Sequence, residues 1–202
     1  MNAPYHHGDL KATLLTHALA QLERKGADAL SMREMAKAID VSHTAAYRHF
    51  ADKRALLEAL AVQGFDNLRL ACEQAVAAAP PSPRQRLQAC GLAYVRFGLD
   101  NPKLLTHMFG AVGQGEATEL LVGAGAGLFA VLQTLVTQGQ AQGQFRAGDV
   151  RELAYACWAM VHGLAMLLSL GRSQADSPAV DRLMDSAAQS MHIFLDGVDR
   201  LA

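Results

Sequence analysis

Two of the eight histidines in this 202-residue chain stand six apart in "VSHTAAYRHFADK", residues 41–53, with a tyrosine and an arginine between them. Such a stretch can hold a metal, carry a catalytic histidine pair, or read nucleic acid from a helix. A zinc site on a helix needs its histidines at i, i+4 on one face, with further ligands. His43 and His49 lie about 120° apart around a helix, and no Glu or Cys lies between them. A catalytic histidine needs a nucleophile and an orienting carboxylate, and neither occurs here at a suggestive spacing. The third reading fits better. Thr44, Tyr47 and Arg48 stand at i, i+3, i+4 and share one side, with His43 beside them at the N-terminal end. That side offers hydroxyl, guanidinium and imidazole groups to phosphates or base edges. The helix N-terminus adds outward N–H groups and the positive end of its dipole. Lys53 just past the helix, and Arg33 at the start of the preceding one, supply two more phosphate partners. Periodicity alone leaves a plainer reading open, in which Tyr47, Arg48 and His49 are ordinary surface residues of a helical bundle.

These residues need two short helices to position them, predicted over 32–39 and 43–49. The link Asp40-Val41-Ser42 has the helix-turn-helix spacing. Met35, Ala36 and Ile39 give the first helix an inward face, and Val41 seats the turn. Ala45 is small enough for the two helices to cross closely, and Phe50 and Leu56 close the far side. Ser31 with Glu34 forms a capping box, and Ser42 and Asp52 cap the next two helices. Upstream, Leu10, Leu14, Ala18 and Leu22 make one stripe that stops at Gly26.

Downstream, "PPSPRQ" at 80–85 is the clearest break, and Ser82-Pro83, Asn101-Pro102, Asp149 with Glu152, and Ser177-Pro178 mark further helix starts. The chain is expected to be all-α, with about nine helices and no strand. A three-helix head over 1–52 precedes a larger helical body over 53–202.

Composition agrees. Apolar residues are 51% and charged residues 18%, which describes a folded chain. A net charge of −1 makes the whole protein no obvious polyanion binder. Residues 1–60 carry 8 basic and 7 acidic residues and five of the histidines, a slight basic bias. Cys72, Cys90 and Cys157 form no CxxC pair and read as buried, reduced thiols. "MNAPYHHGDL" has no apolar region of signal-peptide type. Residues 153–170 hold 18 residues without a charge, at the lower limit for a membrane span. With no second such stretch evident, a helix buried on most sides, in the core and against a partner subunit, is expected instead.

The body brings together Phe65, Leu68, Tyr94, Phe97, Met108, Phe109, Trp158, His162 and Met166 from several helices, with few charges among them. Aromatic and Met-rich linings with one or two polar groups suit small-molecule pockets. The same residues equally suit a plain core. "VGAGAG" at 122–127 follows no strand and lacks a nucleotide-loop register, so it reads as a close helix approach or an interhelical loop. The last two long helices, near 150–170 and 178–198, are the expected dimer face.

"LSMREMAKAIDVSHTAAYRHFADKRALLEAL" resembles the DNA-binding domain of the TetR family of bacterial transcriptional regulators. The resemblance covers residues 10–60 and rests on Arg33, Val41-Ser42, Tyr47-Arg48-His49-Phe50, Lys53 and Leu56-Leu57. It departs at Asp40, where the family commonly has Gly, and at Ala46, where Leu is usual. The "YHHGDL" arm also occurs in a subset of such regulators. "WAMVHG", with Trp158, His162 and Gly163, resembles the WHG-type ligand-binding domain of the same family. The resemblance implies a cytoplasmic homodimer on a pseudo-palindromic double-stranded DNA operator, most simply a repressor released by a small apolar effector. It implies no enzyme activity, cofactor, metal or membrane. Carried over by position, Arg33, His43, Thr44, Tyr47 and Arg48 would read DNA, and Ser42, His49 and Lys53 would hold phosphates. Phe65, Leu68, Tyr94, Phe97, Met108, Trp158, His162 and Met166 would contact the effector. The alternative is a helical small-molecule- or lipid-binding protein, or an enzyme, without DNA-binding function.

Overall fold

The computed structural model describes residues 7–113, 117–170 and 177–198, with side chains for 10–113, 117–170 and 180–198. Among these residues the chain forms nine α-helices and no β-strand. They are α1 (His7–Lys25), α2 (Met32–Ala38), α3 (His43–His49), α4 (Lys53–Ala78), α5 (Pro83–Asp100), α6 (Pro102–Gly113), α7 (Glu119–Ala141), α8 (Val150–Ser169) and α9 (Ser177–Val198). The chain divides into two compact units. One is Met1–Gly64 with Lys103–Val122, and the other is Phe65–Pro102 with Gly123–Ala202. The helix α4 runs unbroken through both ranges, giving its first half to one and its second half to the other.

In the first unit the expected stripe of α1 is buried at Leu10, Leu14, Ala18 and Leu22. Gly26 then turns left-handed at φ 86°, its N–H donating to the Leu22 carbonyl at 2.8 Å. Burying a leucine this fully contributes about 1.5–3 kcal/mol. Ser31 accepts from the Glu34 N–H at 3.4 Å and starts α2, which buries Met32, Met35 and Ala36. The turn to α3 puts Asp40 at φ 55°, the one left-handed non-glycine among the described residues. A short side chain that bonds locally tolerates this conformation better than most.

The phase of α3 differs from expectation by one residue. Ala46, not Ala45, is fully buried, while Ala45 is half-buried and Val41 only partly covered. The position that usually carries Leu is therefore the one at the helix crossing. The methyl group fills it, with Phe50 and Leu56 buried behind.

The start of α6 also differs. Asn101 does not cap it, because the Asn101 side chain donates backward to the Phe97 carbonyl at 3.1 Å. Glu23 of α1 instead accepts from the N–H groups of Lys103 at 3.3 Å and Leu104 at 2.7 Å. The carboxylate thus meets the positive end of a helix from another part of the chain. Burial pushes the Glu23 pKa up, and these two backbone bonds work against that rise. In return, Lys103 Nζ donates to the Arg24 carbonyl near the end of α1 at 2.8 Å. His107 Nε2 meets the Leu57 carbonyl of α4, also at 2.8 Å.

The core of the second unit forms around α5, which buries Leu87, Cys90, Tyr94, Val95 and Leu99. Gly91 lets α9 and α8 come close, since a Cβ there would collide with Met191 and press on Val161. The three cysteines are buried, as expected. Burial pushes the Cys157 thiol up to about 12. Ser82 precedes Pro83 at the start of α5 but makes no side-chain cap bond. Asp149 does cap α8, accepting from Arg151 and Glu152.

"VGAGAG" is neither a loop nor a break. Residues 123–127 lie inside α7, and Gly125 and Gly127 run alongside Phe65 and Arg69 of α4. A second stretch accordingly meets the membrane-span criterion, contrary to the sequence expectation. Both Glu119–Ala141 and Val150–Ser169 are long and apolar enough by length and composition. Nor is α8 buried on most sides within one chain. It buries one face through Ala154, Cys157, Val161 and Ala165, and 22% of each apolar window is covered.

Candidate functional site

The helix α3 is wedged into its unit by one small residue and held at its start by one cap. Ser42 Oγ accepts from the Ala45 N–H at 3.1 Å. With Ala46 inward, His43, Thr44, Tyr47 and Arg48 all fall on the open side. Tyr47 is 40% exposed. Its ring lies 4.5 Å from the His43 ring, tilted by 48°, so two flat side chains share one surface. Arg33 is exposed on α2. Among the described residues neither Arg33 nor Arg48 pairs with a carboxylate. The face thus presents a guanidinium, a phenol, an imidazole and a hydroxyl, none of them tied down by an ion pair. Donors of this kind can bond phosphate oxygens or base edges.

The three expected phosphate partners sit differently. Ser42 uses a lone pair for the cap and keeps its proton to donate. His49 is half-buried, at the closing end of α3. Lys53 is half-buried and donates to the Asp28 carbonyl at 2.7 Å, which fixes its ammonium and leaves further N–H bonds available.

The residues expected around an effector separate into core and cluster. Phe65 and Leu68 are fully buried in the second unit, and Phe97 and Met166 are partly covered there. Met108 belongs to the first unit, buried against Gly64. Tyr94, Trp158 and His162 do come together. Trp158 Nε1–H donates to Tyr94 Oη at 3.3 Å, and Tyr94 Oη meets His162 Nδ1 at 2.8 Å. Burial pulls the His162 pKa down and pushes the Tyr94 pKa up, so both stay neutral. Phe129 of α7 and Tyr155 extend this cluster, with ring separations of 6.3 Å from Phe129 to Trp158 and 4.7 Å from Phe129 to Tyr155.

An open cleft of about 710 Å³ lies elsewhere in the same unit. Arg69, Glu73, Arg86, Ala130, Val131 and Thr134 are among its lining residues, and none of the eight expected effector residues is.

Residues 14–60 match the family model described as bacterial regulatory proteins, tetR family. Residues 87–191, more than half the chain, match the model described as tetracyclin repressor-like, C-terminal domain. The chain belongs to the TetR family. A solved structure from Rhodococcus sp. RHA1, described as a protein with unknown function, is 36% identical over 98% of this chain and 100% of that one, with a TM-score of 0.84. A putative transcriptional regulator from Pseudomonas aeruginosa PAO1 is 23% identical over 96% of this chain and 91% of that one, with a TM-score of 0.77. A TetR-family transcriptional regulator from Pectobacterium atrosepticum is 17% identical over 99% of both chains, with a TM-score of 0.74. At that identity the last two speak for the fold alone. No curated protein matches the chain.

As a member of the TetR family the chain is a transcriptional regulator of a non-enzymatic kind, and α2–turn–α3 is its DNA-binding helix-turn-helix. Sequence reasoning found the bounds of α3 and missed other residues. Phe129 and Tyr155 sit in apolar helices whose periodicity gives no register against a neighbour. Arg86, half-buried on α5, reads in the sequence as one more arginine in "PRQRLQ".

Proposed function

We propose that the protein is a homodimeric repressor whose two α3 helices enter successive major grooves of a pseudo-palindromic operator. Arg33, His43, Thr44, Tyr47 and Arg48 read the DNA, and Ser42, His49 and Lys53 hold the phosphates. The observation that carries this reading is the open face of α3, where four polar side chains converge without an ion pair among the described residues. Helix-turn-helix dimers need half-sites about 34–36 Å apart. The dimer forms through α8 and α9, which leave large apolar side chains in the open. Leu167 of α8 is 67% exposed, Ile193 of α9 68%, and Leu170, just past α8, 75%. Faces of that kind on long helices suit a four-helix arrangement across a two-fold axis.

A small apolar effector binds the unit that holds Tyr94, Trp158 and His162, and it lowers operator affinity. The continuous helix α4 carries the change, because its residues belong to both units. Coupling of this kind is a difference in ligand affinity between two states. The protein acts in the cytoplasm, as DNA binding requires in a bacterium. Footprinting on DNA upstream of its own gene tests the reading. Two protected half-sites one helical turn apart support it. Absence of any sequence-specific protection there, with the protein folded, counts against it and favours a small-molecule- or lipid-binding protein.

A further inference from the structure

The 710 Å³ cleft is of a size that suits a small organic ligand. Its walls are apolar: Val76 and Ala77 come from α4, and Ala130, Val131 and Leu135 from α7. Two arginines and one carboxylate lie among them. One arginine is already engaged, since Arg69 meets Glu73 Oε1 at 2.8 Å and Asp66 Oδ1 at 3.7 Å. The other is not. Arg86 has no ion pair among the described residues, and its Nε is shielded from solvent with no hydrogen-bond partner. A buried polar group without a partner is uncommon and asks for a reason. Arg69 is held by its two carboxylates, so Arg86 is the lining guanidinium that has no ion pair among the described residues.

We propose that this cleft binds a small monocarboxylate with an apolar body, the carboxylate accepting from Arg86 and the body lying against Val131 and Leu135. The two terminal nitrogens of a guanidinium present N–H bonds in parallel, a fork that a carboxylate accepts with both oxygens. One free guanidinium beside a paired carboxylate suits one negative charge and disfavours a polyphosphate. The walls can then bury an alkyl chain or a ring. The site is separate from the Tyr94–Trp158–His162 cluster, which shares no residue with it. Only its consequence at DNA rests on the repressor reading given above.

Calorimetric titration of the full-length protein tests the site with two acids of different shape, decanoate and 2-naphthoate, and with their neutral counterparts, decanol and 2-naphthol. The expected result is that at least one acid binds about tenfold or more tightly than its alcohol, a difference that Arg86→Gln removes. The acid that binds tells a chain-shaped ligand from a ring-shaped one. Ala130→Phe, which fills the cleft and leaves Arg86 in place, should abolish binding, and thermal melts of both variants verify folding. Alcohols binding as well as acids, an acid indifferent to Arg86→Gln or to Ala130→Phe in folded protein, or no binding by either acid would overturn the proposal. An acid that meets every criterion yet leaves operator affinity unchanged would support the site and count against the effector-release reading.

Discussion

The polar residues of α3 and those around Tyr94 differ in who satisfies them. In the second unit Trp158 donates to Tyr94 and Tyr94 meets His162, so three polar groups in an apolar setting answer one another. On α3 the functional groups of Thr44, Tyr47 and Arg48 face outward, and among the described residues no acid answers the arginine. A closed network stabilises and specifies a core. An open, unpaired set on a short, wedged helix has little structural use and fits an external partner. Both regions carry a histidine beside a tyrosine, so residue types alone do not distinguish them. Connectivity does.

Substitutions can break that contrast, starting from the largest effect. Phe65→Ala removes a fully buried ring from the second unit and should cost about 3–5 kcal/mol in chemical denaturation, if Phe65 is core. A loss below about 1 kcal/mol would mean the ring lines open space instead. Tyr94→Phe deletes the shared hydroxyl and leaves the Trp158 N–H and His162 Nδ1 without it. The expected loss is about 1–3 kcal/mol, with operator affinity in the absence of effector unchanged. Asp40→Gly relieves a left-handed side chain in the turn and should gain about 0.5–1 kcal/mol. A loss on that substitution would show that the Asp40 side chain itself stabilises the turn.

The smallest expected effect is the pH dependence of His162. Burial holds its pKa below the ordinary 6.5, so the unfolded chain binds the proton more readily than the folded one. Stability from this group is therefore fully present above about pH 6.5 and declines as pH falls from there toward the lowered folded value. Thermal melts between pH 7.5 and 5 should show a decline that His162→Gln reduces. An identical pH profile in that variant would contradict a neutral, partly buried imidazole.

Local chemistry was the legible part of the sequence. Ser31, Ser42, Asp52 and Asp149 cap the helices they were expected to cap, because an N-cap needs only its own next three residues. The bounds of α3 follow for the same reason. What depends on a distant partner was not legible. Glu23 caps α6 from 80 residues away, a pairing that no local pattern announces. The glycines of α7 were read as a close helix approach or a loop; the structure shows helix, with Gly125 and Gly127 alongside α4, and only the choice between the two was not legible. Of the eight residues expected around an effector, four are buried and four partly covered, and residue type alone could not separate core from cluster. That separation needs the register of α5, α7 and α8 against one another.

Fluorescence-anisotropy titration of operator DNA with the wild-type protein, Tyr47→Ala, Arg48→Ala and the double variant puts the reading of α3 to its plainest test. Both side chains lie on the open face, so thermal stability should shift by about 0.5 kcal/mol or less in each variant. Operator affinity should fall about tenfold or more for each single change and about a hundredfold or more for the pair. Unchanged operator affinity in a folded double variant would contradict the assignment of this face to DNA.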